Sequence, residues 1–195
     1  MIFKPADYEK AQSYDSDFTY LPAGAYVCEV KNVSFAKTKG GRDIMNVSLD
    51  VAEGEYTGYF MRQYKRKTQG NSNARWGCVF DIFVTTPDGG TNPNYKGFFT
   101  ALEKSNNILV NWAGDEKQFR GKLVGILFRE KEFVGNDGKA HLTVEPCASR
   151  TAEAVRNGEC KTPKRKTLDD SGAPAQGADS GFTAVNTGAD DELPF

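Results

Sequence analysis

Aromatic and basic side chains lie close together between residues 56 and 76. Flat rings offer surfaces on which nucleic-acid bases stack, and lysines and arginines pair with the phosphates of the strand. This mixture is typical of sequence-tolerant binding to a single strand. The candidate residues are Tyr56, Arg62, Tyr64, Lys65, Arg66, Lys67, Arg75 and Trp76. The alternative is that Tyr59 and Phe60 pack in a core and the lysines only keep a loop solvated.

Two further groups combine cations with rings at predicted strand ends. The first group flanks a glycine-containing turn and consists of Lys37, Lys39 and Arg42. The second flanks a later hairpin and consists of Phe128, Arg129, Lys131, Phe133 and Lys139. Taken singly, each of these side chains is more often a solvated surface charge or a core phenylalanine.

The last six residues are Asp190, Asp191, Glu192, Leu193, Pro194 and Phe195. We expect Phe195 to carry the α-carboxylate and to insert its ring into a small apolar pocket, while a basic rim meets the three acidic side chains. Pro194 stiffens the last step and lowers the ordering cost of binding. The pattern predicts a partner-binding tip, and the alternative is a solubilising tail that ends in an aromatic residue.

The elements that position these residues follow from periodicity and turn signals. A strand is predicted over 25–35, with a bulge near Asn32, and a second where Met45, Val47, Leu49 and Val51 alternate with polar residues. The other predicted elements are strand-like runs at 56–63 and 76–85, a mobile basic loop at 65–75, a helix at 97–107, strands at 122–134 and 139–147 joined by a turn at 135–138, and a short helix within 150–158.

This order predicts a mainly β protein with an OB-fold, a five-stranded antiparallel barrel that has one helix between strands 3 and 4. A generic β-barrel or a split sheet with one helix would have a similar pattern. We expect an N-terminal arm over 1–23, the OB domain over 24–160, a disordered linker over 161–189 and the tip over 190–195. The basic run at 161–166 either extends a DNA path, binds the tip in cis, or simply begins a solvated linker.

Charge is distributed unevenly along the chain. From residue 168 onward there are six acidic residues and no lysine or arginine. The remaining 25 basic and 20 acidic residues give positions 1–167 a net charge of about +5. A basic body with an acidic tail is typical of proteins that contact nucleic acid, although a charge of this size is common.

Other classes of function find little support in the sequence. Cys28, Cys78, Cys147 and Cys160 lie far apart, which favours reduced thiols over disulfides or a zinc site. His141 has no nucleophile or metal partner in sequence, and no phosphate-binding loop or hydrolase motif occurs. We therefore expect no catalytic residue, metal or cofactor. The apolar runs are too short to cross a bilayer and no signal peptide opens the chain, so we expect a cytoplasmic protein.

The sequence D-D-E-L-P-F at 190–195, after a Gly-rich polar linker, resembles the acidic tip of bacterial and bacteriophage single-stranded DNA-binding proteins. The opening F-K-P-A-D-Y-E-K and the hairpin R-E-K-E-F-V-G-N-D-G-K are similar to phage-encoded members. Glu192 stands where the commoner tip has Asp, a difference that keeps the charge. The resemblance implies an OB body, a tip that recruits replication, recombination and repair proteins, a location in the bacterial host cytoplasm and a possible homo-oligomer. The body departs from the main bacterial pattern, so the usual tetramer is not implied.

The sequence thus predicts a non-enzymatic protein that binds and protects single-stranded DNA in phage or bacterial replication and recombination. Three alternatives remain open. The first is an adaptor whose β-domain binds protein, and the second is a strand-annealing factor or recombination mediator. The third is a nuclease or another enzyme of DNA metabolism, for which no cluster of residues stands out.

Overall fold

The computed structural model describes residues 20–68 and 73–168 of the protein. These residues form β1 (Gly24–Lys37), β2 (Asp43–Val51), α1 (Tyr59–Thr68), β3 (Val79–Phe83), α2 (Pro93–Asn106), a 3-10 helix (Glu116–Phe119), β4 (Leu123–Val134), β5 (Ala140–Arg150) and α3 (Ala152–Arg156). Most of the predicted arm, residues 69–72 of the predicted basic loop, the linker from residue 169 and the tip lie outside the described residues.

The five strands form one antiparallel sheet in the order β3-β2-β1-β4-β5. This confirms the prediction of five antiparallel strands with a helix, α2, between the third and fourth. The central strand β1 pairs with β4 along its first half and with β2 along its second half, and its ladder shifts between Val30 and Asn32, where the bulge was predicted. The edge strands β3 and β5 approach within 8 Å between Cα atoms. Among the described residues no ladder joins them, so the sheet is open.

The core lies on one face of this sheet and under the helices. The predicted alternation of β2 is confirmed for its apolar side, since Met45, Val47 and Leu49 are fully buried, but Asp50, which was expected to face water, is buried as well. Phe98 and Leu102, four residues apart on α2, pack against the same core. Burial of these large apolar side chains fixes which face of each strand points inward.

Helix α2 begins four residues before the predicted start at residue 97. The Asn92 side chain accepts a hydrogen bond from the Asn94 N–H at 2.9 Å, and Pro93 occupies the first turn, where its missing N–H costs nothing. The helix ends where Asn107 adopts a left-handed conformation with φ of 51°. The sequence Asn92-Pro93 is a helix start signal, and it would have placed the start of α2 correctly.

The strand predicted at 56–63 is wrong, because the chain forms helix α1 there. Gly58 turns the chain with φ of 70°, a conformation that favours glycine. The buried Asp50 carboxylate then accepts a hydrogen bond from the Phe60 N–H at 2.9 Å, which satisfies a backbone donor in the first turn of the helix. Good helix formers follow up to Thr68, so the helix also replaces the first part of the predicted loop at 65–75.

The remaining predicted strands and helices are present with shifted boundaries. β3 is shorter than the predicted run at 76–85 and leaves Trp76 in the segment before the strand. The β4–β5 hairpin forms around the predicted turn at 135–138, and β5 continues to Arg150, beyond the predicted end at residue 147. Helix α3 occupies the middle of the predicted range 150–158.

Candidate nucleic-acid interface

The structure brings Tyr64 of α1 and Trp76 together across the basic segment that separates them. Their ring centroids are 5.6 Å apart, with an angle of 44° between the planes. The Trp76 indole N–H donates to the Leu49 carbonyl oxygen at 2.9 Å, and one side of the ring packs against the core. Both rings are half-buried, so each offers part of its surface to solvent from a fixed position.

Exposed cations are the chain neighbours of these two rings. Lys65, Arg66 and Lys67 occupy the last turn of α1 and are exposed, as is Arg75 just before Trp76. Basic side chains in this position also stabilise the helix, because its carboxyl end carries partial negative charge. Arg62, one turn earlier, is exposed and donates to the Thr57 carbonyl oxygen, so it fixes the turn that leads into the helix.

Tyr56 lies apart from these residues. Its ring meets Tyr26 edge-on at 5.8 Å and Tyr59 at 6.4 Å. It is half-buried against the core, like Tyr26, whose pKa is raised to about 12 by burial. A strand over 56–63 would place Tyr56, Phe60 and Arg62 on one face, whereas in the structure Phe60 is buried and Arg62 is exposed on a helix.

The three predicted cations Lys37, Lys39 and Arg42 lie at the end of β1 and in the turn that leads to β2. Lys37 forms an ion pair with Asp43 at 2.7 Å. The Arg42 guanidinium donates to the Thr85 carbonyl oxygen at 3.0 Å and lies 3.9 Å above the centre of the Phe83 ring. Lys39 is exposed at the tip of the turn. Arg42 therefore joins this turn to the end of β3.

The β4–β5 hairpin has two chemically different faces. Arg129, Lys131 and Phe133 alternate along β4, and their cross-strand partners Glu145, Thr143 and His141 lie on the same face. We call this the basic face. The opposite face carries Glu130, Glu132 and Val134 with the partners Val144, Leu142 and Ala140.

A carboxylate holds the two cations of the basic face in place. Glu145 pairs with Arg129 at 2.6 Å and with Lys131 at 2.9 Å. Burial alone raises the pKa of Glu145, but the hydrogen bonds from Lys131 and Arg129 outweigh burial and hold that pKa below its usual value. The two cations are thus positioned, but part of their charge is already neutralised.

The two rings of the basic face lie near the end of the hairpin. Phe133 is 40% exposed, and its ring lies 5.6 Å from that of His141 at an angle of 32°. His141 Nε2 is 2.9 Å from the Asp137 carboxylate, which fixes the imidazole, and Lys139 is exposed in the turn. Phe128, in contrast, is fully buried. This residue, which was grouped with the hairpin cations from the sequence, therefore belongs to the core.

The β4–β5 hairpin tip and the turn that carries Lys39 lie at opposite ends of the sheet. The ladder between β1 and β4 ends at Gly24 and Phe128, and β4 runs on past the start of β1. The turn with Lys39 lies beyond the other end of β1, so the structure separates it from the hairpin tip. The start of α1 lies at the base of the hairpin, since Phe60 stacks on Phe128 at 6.0 Å.

Three exposed aromatic residues, Tyr20, Phe35 and Trp112, are not among the residues predicted to bind DNA. Trp112, in the connection after α2, is 67% exposed and meets Phe99 at 4.9 Å, and the nearby Leu109 is 89% exposed. The apolar sequence of residues 108–112 was the only signal, and a core segment has the same composition. His141 was interpreted as an isolated residue, whereas its partner Phe133 becomes evident only once the hairpin register is known.

Within residues 20–68 and 73–168, no helix is long and apolar enough to cross a membrane. No group of three or more metal-binding side chains occurs in the same ranges. Two comparisons with known proteins, one against family models and one against curated sequences, find no match.

Proposed function

We propose that the protein binds single-stranded DNA with little sequence preference and is not an enzyme. The observation that carries the proposal is the ring pair Tyr64–Trp76 beside the exposed cations of α1. Bases stack on such rings, each contributing about 1–3 kcal/mol, while lysines and arginines meet the phosphates. Since binding then releases counterions from the strand, affinity falls as salt rises.

The fold proposed for this function is an OB-fold. Support comes from the strand order β3-β2-β1-β4-β5, from the bulged strand β1 that is shared by both halves of the sheet, and from α2 between β3 and β4. An OB-fold is a partly open five-stranded barrel, and the close approach of β3 and β5 fits that description. In OB-folds, the first hairpin, the β4–β5 loop and the surface of strands 2 and 3 hold oligonucleotides.

The two tryptophans of the chain allow a direct test of stacking. In the variant Trp112→Phe, Trp76 is the only tryptophan, and we expect oligo-dT to quench its fluorescence in a saturable manner. The variant Trp76→Phe retains only Trp112 and serves as the matched control, with little quenching expected. Equal quenching of both, or quenching of neither, contradicts base stacking at Trp76.

Recruitment of replication, recombination or repair proteins through residues 190–195 is the second part of the proposal. It is supported by the acidic and Leu-Pro-Phe sequence of the tip, which lies outside the described residues. Deleting residues 190–195 is expected to abolish capture of partner proteins from a bacterial extract and to leave DNA affinity unchanged or slightly higher. Undiminished capture by the truncated chain is the result that rejects recruitment.

An adaptor function is the second candidate, because Trp112 and Leu109 form an exposed apolar surface after α2. If the body binds a protein there, Trp112→Ala removes that partner, and Tyr64→Ala has no effect on it. The adaptor account also predicts that the protein does not bind oligo-dT in a salt-sensitive manner.

A further inference from the structure

The chain after α3 returns to the β4–β5 hairpin. Lys166 pairs with Lys131 of β4 in a parallel bridge. The Lys166 N–H donates to the Glu130 carbonyl oxygen, and the Glu132 N–H donates to the Lys166 carbonyl oxygen, both at 2.9 Å. We call residues 163–168 the docked segment.

The docked segment lies where β4 extends beyond β1. The β1 ladder stops at Phe128, so the backbone groups of the following residues of β4 are available on that side. Unpaired strand edges are usually covered or paired in folded proteins, and here the chain's own continuation pairs with the edge. The Leu168 N–H also donates to the Glu132 carboxylate at 3.4 Å.

Arg165 faces the acidic side of the hairpin. Its guanidinium donates to Glu130 at 2.7 Å and lies 3.6 Å from Glu132. Both carboxylates belong to the face opposite Arg129 and Lys131. The ion pairs thus orient the docked segment as well as attach it.

Lys166 faces the other side. Residues paired in a bridge project to the same face of a sheet, so Lys166 lies with Lys131 on the basic face. Lys164 precedes it by two residues and is exposed. The docked segment therefore adds cations beside Arg129 and Lys131, where Glu145 is the only carboxylate among the strand residues of that face.

We propose that the docked segment is a built part of the single-stranded DNA interface, in which Lys164 and Lys166 contact phosphates together with Arg129 and Lys131. Bases of the same strand stack on Phe133 and His141. Arg165 is a positioning residue, which holds the two lysines in place through Glu130 and Glu132. This inference rests on the proposed function and adds the basic face to the DNA interface.

The first test compares salt dependences of oligo-dT binding. Log affinity falls linearly with log salt, and each phosphate contact on a single strand makes this slope steeper by about 0.7. The double variant Lys164→Gln/Lys166→Gln is therefore expected to make the slope shallower by about 1.4. The matched control Lys104→Gln/Lys117→Gln removes the same charge from α2 and the 3-10 helix and is expected to keep the slope. If the wild type binds and both double variants share its slope, the docked segment is no part of the interface. If the wild type itself does not bind oligo-dT, the proposed function fails as well.

The second test separates positioning from charge. Glu130→Gln/Glu132→Gln makes the protein more basic, and simple electrostatics predicts tighter binding. We expect severalfold weaker binding instead, because Arg165 loses its partners and the lysines are released. Arg165→Gln is expected to make the salt-dependence slope shallower by more than about 0.7, the contribution of a single cation, and Arg165→Lys is expected to restore most of the wild-type slope. Tighter binding by the glutamine double variant, or a wild-type slope in Arg165→Gln, overturns the positioning role.

Hydrogen exchange gives a readout that does not depend on DNA affinity. The amides of Glu132 and Lys166 are paired in the bridge and are expected to exchange slowly in the wild type. Both should exchange faster in Arg165→Gln, with the β1–β2 ladder unchanged. Equal exchange in the wild type and the variant contradicts the anchoring role of Arg165.

Discussion

The Tyr64 ring lies 5.6 Å from the Trp76 ring, and the hydrogen bond from the Trp76 indole to the Leu49 carbonyl oxygen ties this pair to β2. Helix α1, which sequence patterns did not predict, carries the tyrosine to this position. The rings are thus attached to regular elements on both sides. Such attachment lowers the entropy that the side chains lose when a base stacks on them.

Tyr64→Ala is expected to weaken oligo-dT binding by about 1–3 kcal/mol, because one stacking surface is lost. Tyr64→Phe keeps the ring and should bind like the wild type. Fluorescence anisotropy with labelled oligo-dT measures both. Trp112→Ala is the control for loss of an exposed aromatic residue elsewhere. Wild-type affinity in Tyr64→Ala would show that this ring does not contact bases.

Neutralising the end of α1 should reduce the salt dependence of binding. The triple variant Lys65→Gln/Arg66→Gln/Lys67→Gln is expected to make the slope of log affinity against log salt shallower by about 2, because each phosphate contact contributes about 0.7. The triple variant Lys96→Gln/Lys104→Gln/Lys117→Gln removes the same charge from exposed positions around α2 and is expected to change the slope little. Equal slopes for the two triple variants would mean that only net charge matters.

Two phenylalanines of β4 are expected to respond in opposite ways. Phe128 is fully buried, so Phe128→Ala should lower the free energy of unfolding by about 3–5 kcal/mol. Phe133 is 40% exposed, so Phe133→Ala should change stability little but weaken DNA binding. Urea unfolding and anisotropy titrations separate the two effects. Normal DNA affinity in a folded Phe133→Ala protein would exclude this ring from the interface.

Removing the carboxylate of Glu145 should strengthen DNA binding. Glu145→Gln releases Arg129 and Lys131 from their ion pairs and makes the basic face more positive. We expect a lower dissociation constant and a steeper salt dependence. Glu53→Gln, which breaks the ion pair with Arg156 elsewhere, is the matched control. Weaker DNA binding by Glu145→Gln would mean that the carboxylate is needed to orient the cations.

The same carboxylate predicts a pH dependence of stability. Because the pKa of Glu145 lies below its usual value of 4.5, its ion pairs stabilise the folded state fully above that pH. This stabilisation is lost as the pH falls through the lowered pKa of the folded state. Glu145→Gln should therefore be less stable than the wild type at neutral pH, and the difference should shrink in acid. Urea unfolding at several pH values measures this difference in the free energy of unfolding. A difference that grows in acid would contradict a lowered pKa of Glu145.

Local patterns in the sequence were sufficient to predict most of the sheet. The alternation of Met45, Val47 and Leu49 depends only on which side of β2 is buried. The turn at 135–138 fixes the β4–β5 hairpin through neighbouring residues alone. In both cases, the interactions that decide the structure lie within a few residues of one another.

Helix α1 was missed because its start depends on a distant residue. The three aromatic residues within 56–60 are typical of a strand, whereas the start of the helix is stabilised by a hydrogen bond to the Asp50 carboxylate in β2. No periodicity in residues 56–68 indicates that contact. The predicted site was affected as well, because the positions of Tyr56, Arg62 and Tyr64 depend on whether this segment is a strand or a helix.

The sequence offered the basic run at 161–166 as one way to extend a DNA path, but its docking on β4 could not be predicted. Its composition is that of a solvated linker, and its pairing depends on how far β4 extends beyond β1. The alternation of Arg129, Lys131 and Phe133 was visible in the sequence. Their pairing with Glu145 and His141 required the register of the hairpin.

The central claim is tested most directly by titrating the wild-type protein into labelled oligo-dT at low and at moderate salt, with duplex DNA of equal length as competitor. Our account predicts tight binding at low salt that weakens as salt rises and that the duplex does not displace. Absence of binding at low salt, or full displacement by duplex DNA, would contradict it. In the first case, the adaptor interpretation would become the better account of Trp112 and of the tip.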